Sequence, residues 1–143
     1  MLEQLGVLLR ETVRRQDVVA RWGGEEFVIV ARDAEDEIGA ALANRVRHKV
    51  ASHPFRLHSG ETIKLTCSIG YSVYPFVPAS PRALAWDDVL ALADAGLYRA
   101  KQEGRNRAIG IVSGETAASR DTVDEVKNDF DRARESGLVR LVG

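Results

Sequence analysis

A single cysteine, Cys67, leaves this 143-residue chain no disulfide to form and excludes a disulfide-framed secreted domain. Cys67 falls in an alternating apolar run and reads as a buried thiol in a reducing compartment, the cytoplasm. No apolar run nears the roughly 20 residues of a membrane-spanning helix. The first residues lack the pattern of a secretory signal. Neither sign of charge is in excess: 20 Lys and Arg stand against 21 Asp and Glu, a net charge of −1. No overall basic field therefore points to nucleic acid or to a membrane surface. The histidines are few. His48, His53 and His58 have no acidic or cysteine partner at metal-ligand spacing, so they read as surface residues. With 45 % hydrophobic and 29 % charged residues, what remains is one globular domain.

Taken in order, residues 1–15 read as an amphipathic helix, with Leu2, Leu5, Leu9 and Val13 at three- and four-residue spacing. Asp17–Trp22 and Glu25–Ala31 read as two strands joined at Gly23-Gly24, a tight hairpin whose turn positions call for positive φ. The acid-rich run from Asp33 to Glu37 opens a helix to about Ala51, with Ile38, Leu42, Val46 and Val50 inward and Pro54 beyond its end. Phe55–His58 and Thr62–Tyr74 form a second hairpin, its second arm a long central strand of alternating residues. Pro75, Pro78 and Pro81 mark an irregular loop. A helix over Trp86–Glu103 buries Val89, Leu90, Ala93, Leu97 and Ala100 and stops at Gly104. Arg107–Val112 is a last strand. From Ser113 the chain turns polar, and Thr122–Glu135 could form one more helix behind a flexible linker. Residues 1–112 are thus one α+β unit, an antiparallel-rich sheet flanked by helices, and 113–143 a linker with a C-terminal helix.

The chemistry concentrates at the first hairpin. Gly23 and Gly24 leave a tip without side chains, which a bulky anion could approach closely. Glu25 and Glu26 follow, on opposite faces of the strand, so only one can look outward beside the glycines. A bare turn beside one carboxylate suits a phosphate with its Mg²⁺, and equally describes a solubilising surface turn. Lys101 and Arg105, four residues apart at a helix end, could neutralise a triphosphate or simply complement the negative end of the helix.

Two stretches decide between these readings. Arg21-Trp-Gly-Gly-Glu-Glu-Phe27 resembles the signature of the GGDEF family of diguanylate cyclases, in its GGEEF variant. The run from Ala93-Asp94 through Leu97-Tyr98, Ala100-Lys101 and Gly104-Arg105-Asn106 is similar to the family's second hallmark, and Thr66–Gly70 to its Ser-Ile-Gly strand. The resemblance implies a nucleotidyl-cyclase-like fold, GTP as substrate, Mg²⁺ or Mn²⁺ as cofactor, and a homodimer that joins two GTP into cyclic di-GMP. It implies Glu25 as metal ligand, Gly23 and Gly24 against the nucleotide, Glu26 in a lesser role, and Lys101 and Arg105 on the triphosphate. Arg14-Arg-Gln-Asp17, five residues before the signature, matches the Arg-x-x-Asp of the family's product-inhibition site. Arg14 offers a planar fork to phosphate or guanine, and Asp17 could accept from guanine N–H groups. Arg45 is the arginine the following helix would add, with Arg47 behind it.

A complete domain of the family also carries an acidic metal ligand on its first strand, and Asn and Asp residues that read guanine, ahead of the first helix here, and none of these is found. That predicts an unpaired sheet edge with uncovered apolar surface, self-association, and synthesis impaired more than cyclic di-GMP recognition. The alternative reading is a cyclic di-GMP receptor module without catalysis; a third is a dimerisation domain that binds nothing.

Overall fold

The computed structural model describes residues 1–115, 118–119 and 121–142. Its first half is a hairpin held between two helices. Helix α1 (Leu2–Thr12) turns Leu9 inward, with Val13 buried just past its end. Strands β1 (Val18–Gly23) and β2 (Glu26–Val30) pair antiparallel, Val18 opposite Val30 and Arg21 opposite Phe27, with the register slipping between Arg21 and Gly23. Helix α2 (Asp36–Ser52) lays Val46 and Val50 against Leu9 and the fully buried Phe55, with Phe27 and Ile29 around them.

The second half is built on β6 (Ala108–Ser113), whose residues 108–112 are all buried. On one edge β6 pairs parallel with β5 (Ile69–Tyr71); on the other it pairs antiparallel with β7 (Val139–Val142). Helix α3 (Trp86–Gln102) connects β5 to β6 and lies tightly on both. The approach demands glycine. A Cβ on Gly70 would stand 2.0 Å from the Ala93 carbonyl oxygen and 2.1 Å from the Leu97 nitrogen, and one on Gly96 2.7 Å from the Ile109 oxygen. These contacts turn the helix, so its buried line is Val89, Leu92, Gly96 and Ala100, while Leu90, Ala93 and Leu97 are only half-buried. Helix α3 ends as Gly104 predicts: the residue has φ +118° and the Arg105 N–H reaches back to the Ala100 oxygen at 2.9 Å.

The helix expected over 122–135 is two, α4 (Asp121–Asn128) and α5 (Phe130–Glu135). Asp129 separates them by capping α5, accepting the Arg132 N–H at 3.0 Å. Ala118, Val123, Val126, Ala133 and Val139 share one core with Leu92 and Ile111. Arg99 of α3 lies 4.5 Å over the Phe130 ring, and Arg140 of β7 reaches Asp36 of α2 at 2.8 Å.

The fold is α+β, and among the described residues three of four strand pairings are antiparallel. Among the described residues the strand ladders fall into two two-stranded sheets and one of three strands. The long strand expected over 62–74 is broken. Strand β4 (Thr62–Ile63) pairs with β3 (Phe55–Arg56), β5 with β6, and 64–68 has no ladder partner among the described residues. Alternation sets which way side chains face along an extended segment; a strand also needs a neighbour, and β3 and β6 reach only its ends. Burial, with Arg47 opposing weakly, pushes the Cys67 thiol up to about 11. No helix among the described residues is long and apolar enough to cross a membrane.

Candidate functional site

The hairpin turn sits one residue later than expected. Gly23 still belongs to β1, opposite Glu26, so the tip is Gly24-Glu25 and only Gly24 has positive φ, +52°. Arg21 pins it, donating from Nε and Nη2 to the Gly24 oxygen at 2.9 and 2.7 Å. Nothing lies within 4 Å of a Cβ placed on Gly23 or Gly24, so both faces of the tip are open to an incoming group. Glu25 is exposed at the turn. Trp22 beside it is 65 % exposed.

Glu26 points to the end of α3, where its Oε1 lies 3.9 Å from Lys101 Nζ. The two motifs, far apart in sequence, therefore meet in space. Arg105 does not continue the helical stripe of Lys101. It follows Gly104 in the turn beyond α3 with φ +64°, its side chain exposed. A non-glycine residue there costs about 1 kcal/mol, and the turn that closes α3 holds it. Among the described residues no three of His, Cys, Asp and Glu converge on a point. The donor set does not fit a resident divalent ion, since Glu25 could offer only one carboxylate and Glu26 faces Lys101.

A second site lies at the far end of β1. Arg14, Asp17 and Arg45 line one open hollow of about 250 Å³ together with Glu37, Ile38, Ala41 and Leu42 of α2. Ile38, expected inward, is 45 % exposed on this hollow. Asp17 is not free within it. Its side chain has no exposed surface; Oδ2 accepts the Arg14 N–H at 2.9 Å and Arg14 Nε at 3.5 Å, while Oδ1 accepts the Arg32 N–H at 3.1 Å. Burial alone would raise its pKa, but the Arg14 and Arg32 backbone bonds and the Arg14 guanidinium outweigh it and hold the carboxyl below 3.8. Arg14 also donates to the Arg32 oxygen, and Arg10 to the Arg14 and Asp17 oxygens. Sequence reasoning missed Glu37; its four-residue steps to Ala41 and Arg45 were the available signal. Arg47, the reserve candidate, instead turns toward Asn106 at 3.4 Å.

The profile described as "Diguanylate cyclase, GGDEF domain" matches residues 1–107. The chain belongs to the GGDEF family. That match covers part of the domain. Diguanylate cyclase A of Treponema denticola is 34 % identical over 107 residues, 75 % of this chain and 27 % of that protein. The active GGEEF domain of a diguanylate cyclase from Vibrio cholerae superposes with a TM-score of 0.56 at 31 % identity, over 75 % of this chain and 64 % of that one. The GGDEF domain of DgcB from Caulobacter crescentus, solved with c-di-GMP, superposes with a TM-score of 0.62 at 27 % identity, over 76 % and 61 %. This chain thus spans about a quarter of its curated relative's length and under two thirds of either solved domain.

Proposed function

We propose that this GGDEF chain is the signature-bearing part of a cytoplasmic diguanylate cyclase that carries its own product-inhibition site. The observation that supports the enzyme reading is the approach of Glu26 Oε1 to Lys101 Nζ at 3.9 Å, which brings the hairpin beside the cationic end of α3. A GTP laid across the open tip would have its phosphates beside Lys101 and Arg105, which neutralise charge building on the transferring phosphorus. Two copies face each other as a homodimer. Each 3′-hydroxyl attacks the α-phosphorus of the other nucleotide, a P–O bond forms, the bond to the β-phosphate oxygen breaks, and pyrophosphate leaves. Family enzymes draw on a divalent ion, Mg²⁺ or Mn²⁺. Since the donors here do not fit one alone, Glu25 is assigned no more than a single ligand to an ion arriving with the nucleotide.

A specific observation favours a second reading for the chain on its own. Arg14, Asp17 and Arg45 share the hollow on α2 and are all present, so cyclic di-GMP recognition outlasts synthesis. Calorimetric titration with cyclic di-GMP, beside a chromatographic assay of GTP turnover, tests both. The expected result is binding that Arg14→Ala abolishes, with little or no product from GTP. Rapid synthesis by this chain alone overturns the impairment; a folded chain giving no heat overturns the inhibitory site.

A further inference from the structure

The hollow on α2 has two walls. The turn between α1 and β1 supplies Arg14 and Asp17, and α2 supplies Glu37, Ile38, Ala41, Leu42 and Arg45. Its shape depends on where the first half of α2 lies against that turn. The Asp17 carboxylate ties the turn down, through the Arg14 and Arg32 N–H groups. The first half of α2 is not held by its own packing. The buried residues of the helix, Ala43, Val46 and Val50, all belong to its second half, and among the described residues no side chain caps its start. Two contacts from the other half of the molecule hold it instead. Tyr71, Gly110 and Val142 are paired across β5, β6 and β7, so Arg140, two residues before Val142, shares their face of the sheet. The Tyr71 ring lies over Gly110, where a Cβ would come within 2.3 Å of it, and reaches Gly39 of α2, whose Cβ would meet it at 3.3 Å. Three residues before Gly39, Asp36 is held by Arg140 at 2.8 Å. Burial first, and then Asp36, push the Tyr71 hydroxyl above its ordinary pKa while Arg140 opposes them, as three groups close together would.

Asp36 directly precedes Glu37 and Ile38, which stand in the wall of the hollow. Resting on the reading of this hollow as a cyclic dinucleotide site, we infer that Arg140 is a positioning residue for it: through Asp36 it fixes the first turn of α2, and with it the wall that meets the ligand. Arg140 does not itself line the hollow, and it stands beyond residues 1–107, which match the family profile. The C-terminal strand β7 therefore sets the affinity of a site to which it brings no ligand contact. Both side chains of the pair are partly exposed, so its strength is modest and salt weakens it.

The test is calorimetric titration of the full chain with cyclic di-GMP, in about 0.1 M and about 1 M salt. The unchanged protein is compared with Arg14→Ala, Arg140→Ala, Arg140→Lys, Asp36→Asn and the double variant of Arg140→Ala with Asp36→Asn. In the lower salt, Arg140→Ala and Asp36→Asn are each expected to weaken binding about threefold, and the double variant no further. Arg140→Lys keeps the charge and is expected to lose less than either. In the higher salt these losses shrink toward nothing, which a loss of packing would not do. The Arg140 side chain is 57 % exposed, so its variants keep the fold, which circular dichroism verifies. Full binding by Arg140→Ala, with binding still lost in Arg14→Ala, overturns the inference and leaves the site standing. Losses that add in the double variant show Arg140 acting by a route other than Asp36, and overturn it as well. No binding by the unchanged chain removes the site and the inference together.

Discussion

Strands β1 and β6 are equally long at six residues, and they are built for opposite ends. No residue of β1 or β2 is buried, whereas five consecutive residues of β6 are. Around β6, helix and strand backbones touch where glycine permits it. At the hairpin tip the glycines face open space. The same residue type thus does contrary things: Gly70 and Gly96 let protein approach protein, while Gly23 and Gly24 leave room for something that is not protein. The motif-bearing half is presented, and the other half supports it.

Substitutions sharpen that contrast. Gly70→Ala should be the most damaging, since its methyl would collide with the backbone of α3 that cannot swing aside; a loss of about 3 kcal/mol in urea unfolding is expected. Asp17→Asn should come next, at about 2 kcal/mol near neutral pH, because it leaves buried N–H donors poorly matched. Its sign with pH follows from the lowered native pKa. The stabilisation is full above the ordinary value of 3.8 and is lost as pH falls through the native one. The unchanged protein should therefore lose stability below about pH 4 more steeply than Asp17→Asn, and the two curves should converge in acid. Gly23→Ala should be smallest, within about 0.5 kcal/mol, its methyl meeting nothing. A large loss there would show that the tip is packed after all and break the comparison.

How much of this was written in the sequence depends on how far apart the partners lie. The bounds of helix α3 were legible almost to the residue, because its apolar period and Gly104 at its end are local, whereas its buried face was not, because the close approach at Gly70 and Gly96 sets it. The hairpin was legible as an element and displaced by one residue at its turn, a slip set by the irregular register beside Gly23. The run 62–74 misled, since its alternation says nothing about which neighbours exist. Strand β7 was missed for the same reason: Val139–Val142 is four residues long, and only the edge of β6 makes it a strand. At the sites, Arg14, Asp17 and Arg45 were found in sequence and do line one hollow. That Asp17 is sealed by backbone N–H groups could not be seen, because the Arg32 donor comes from beyond the hairpin.

The lone thiol has a further use. At a pKa of about 11, only about one Cys67 in ten thousand is ionised at neutral pH, and thiolate is the form that alkylating reagents attack. Labelling of the closed protein is therefore slow, and it quickens when the packing between α2 and the unpaired 64–68 segment loosens. With no second cysteine to confuse the record, the chain carries its own stopwatch for opening on the signature-bearing side.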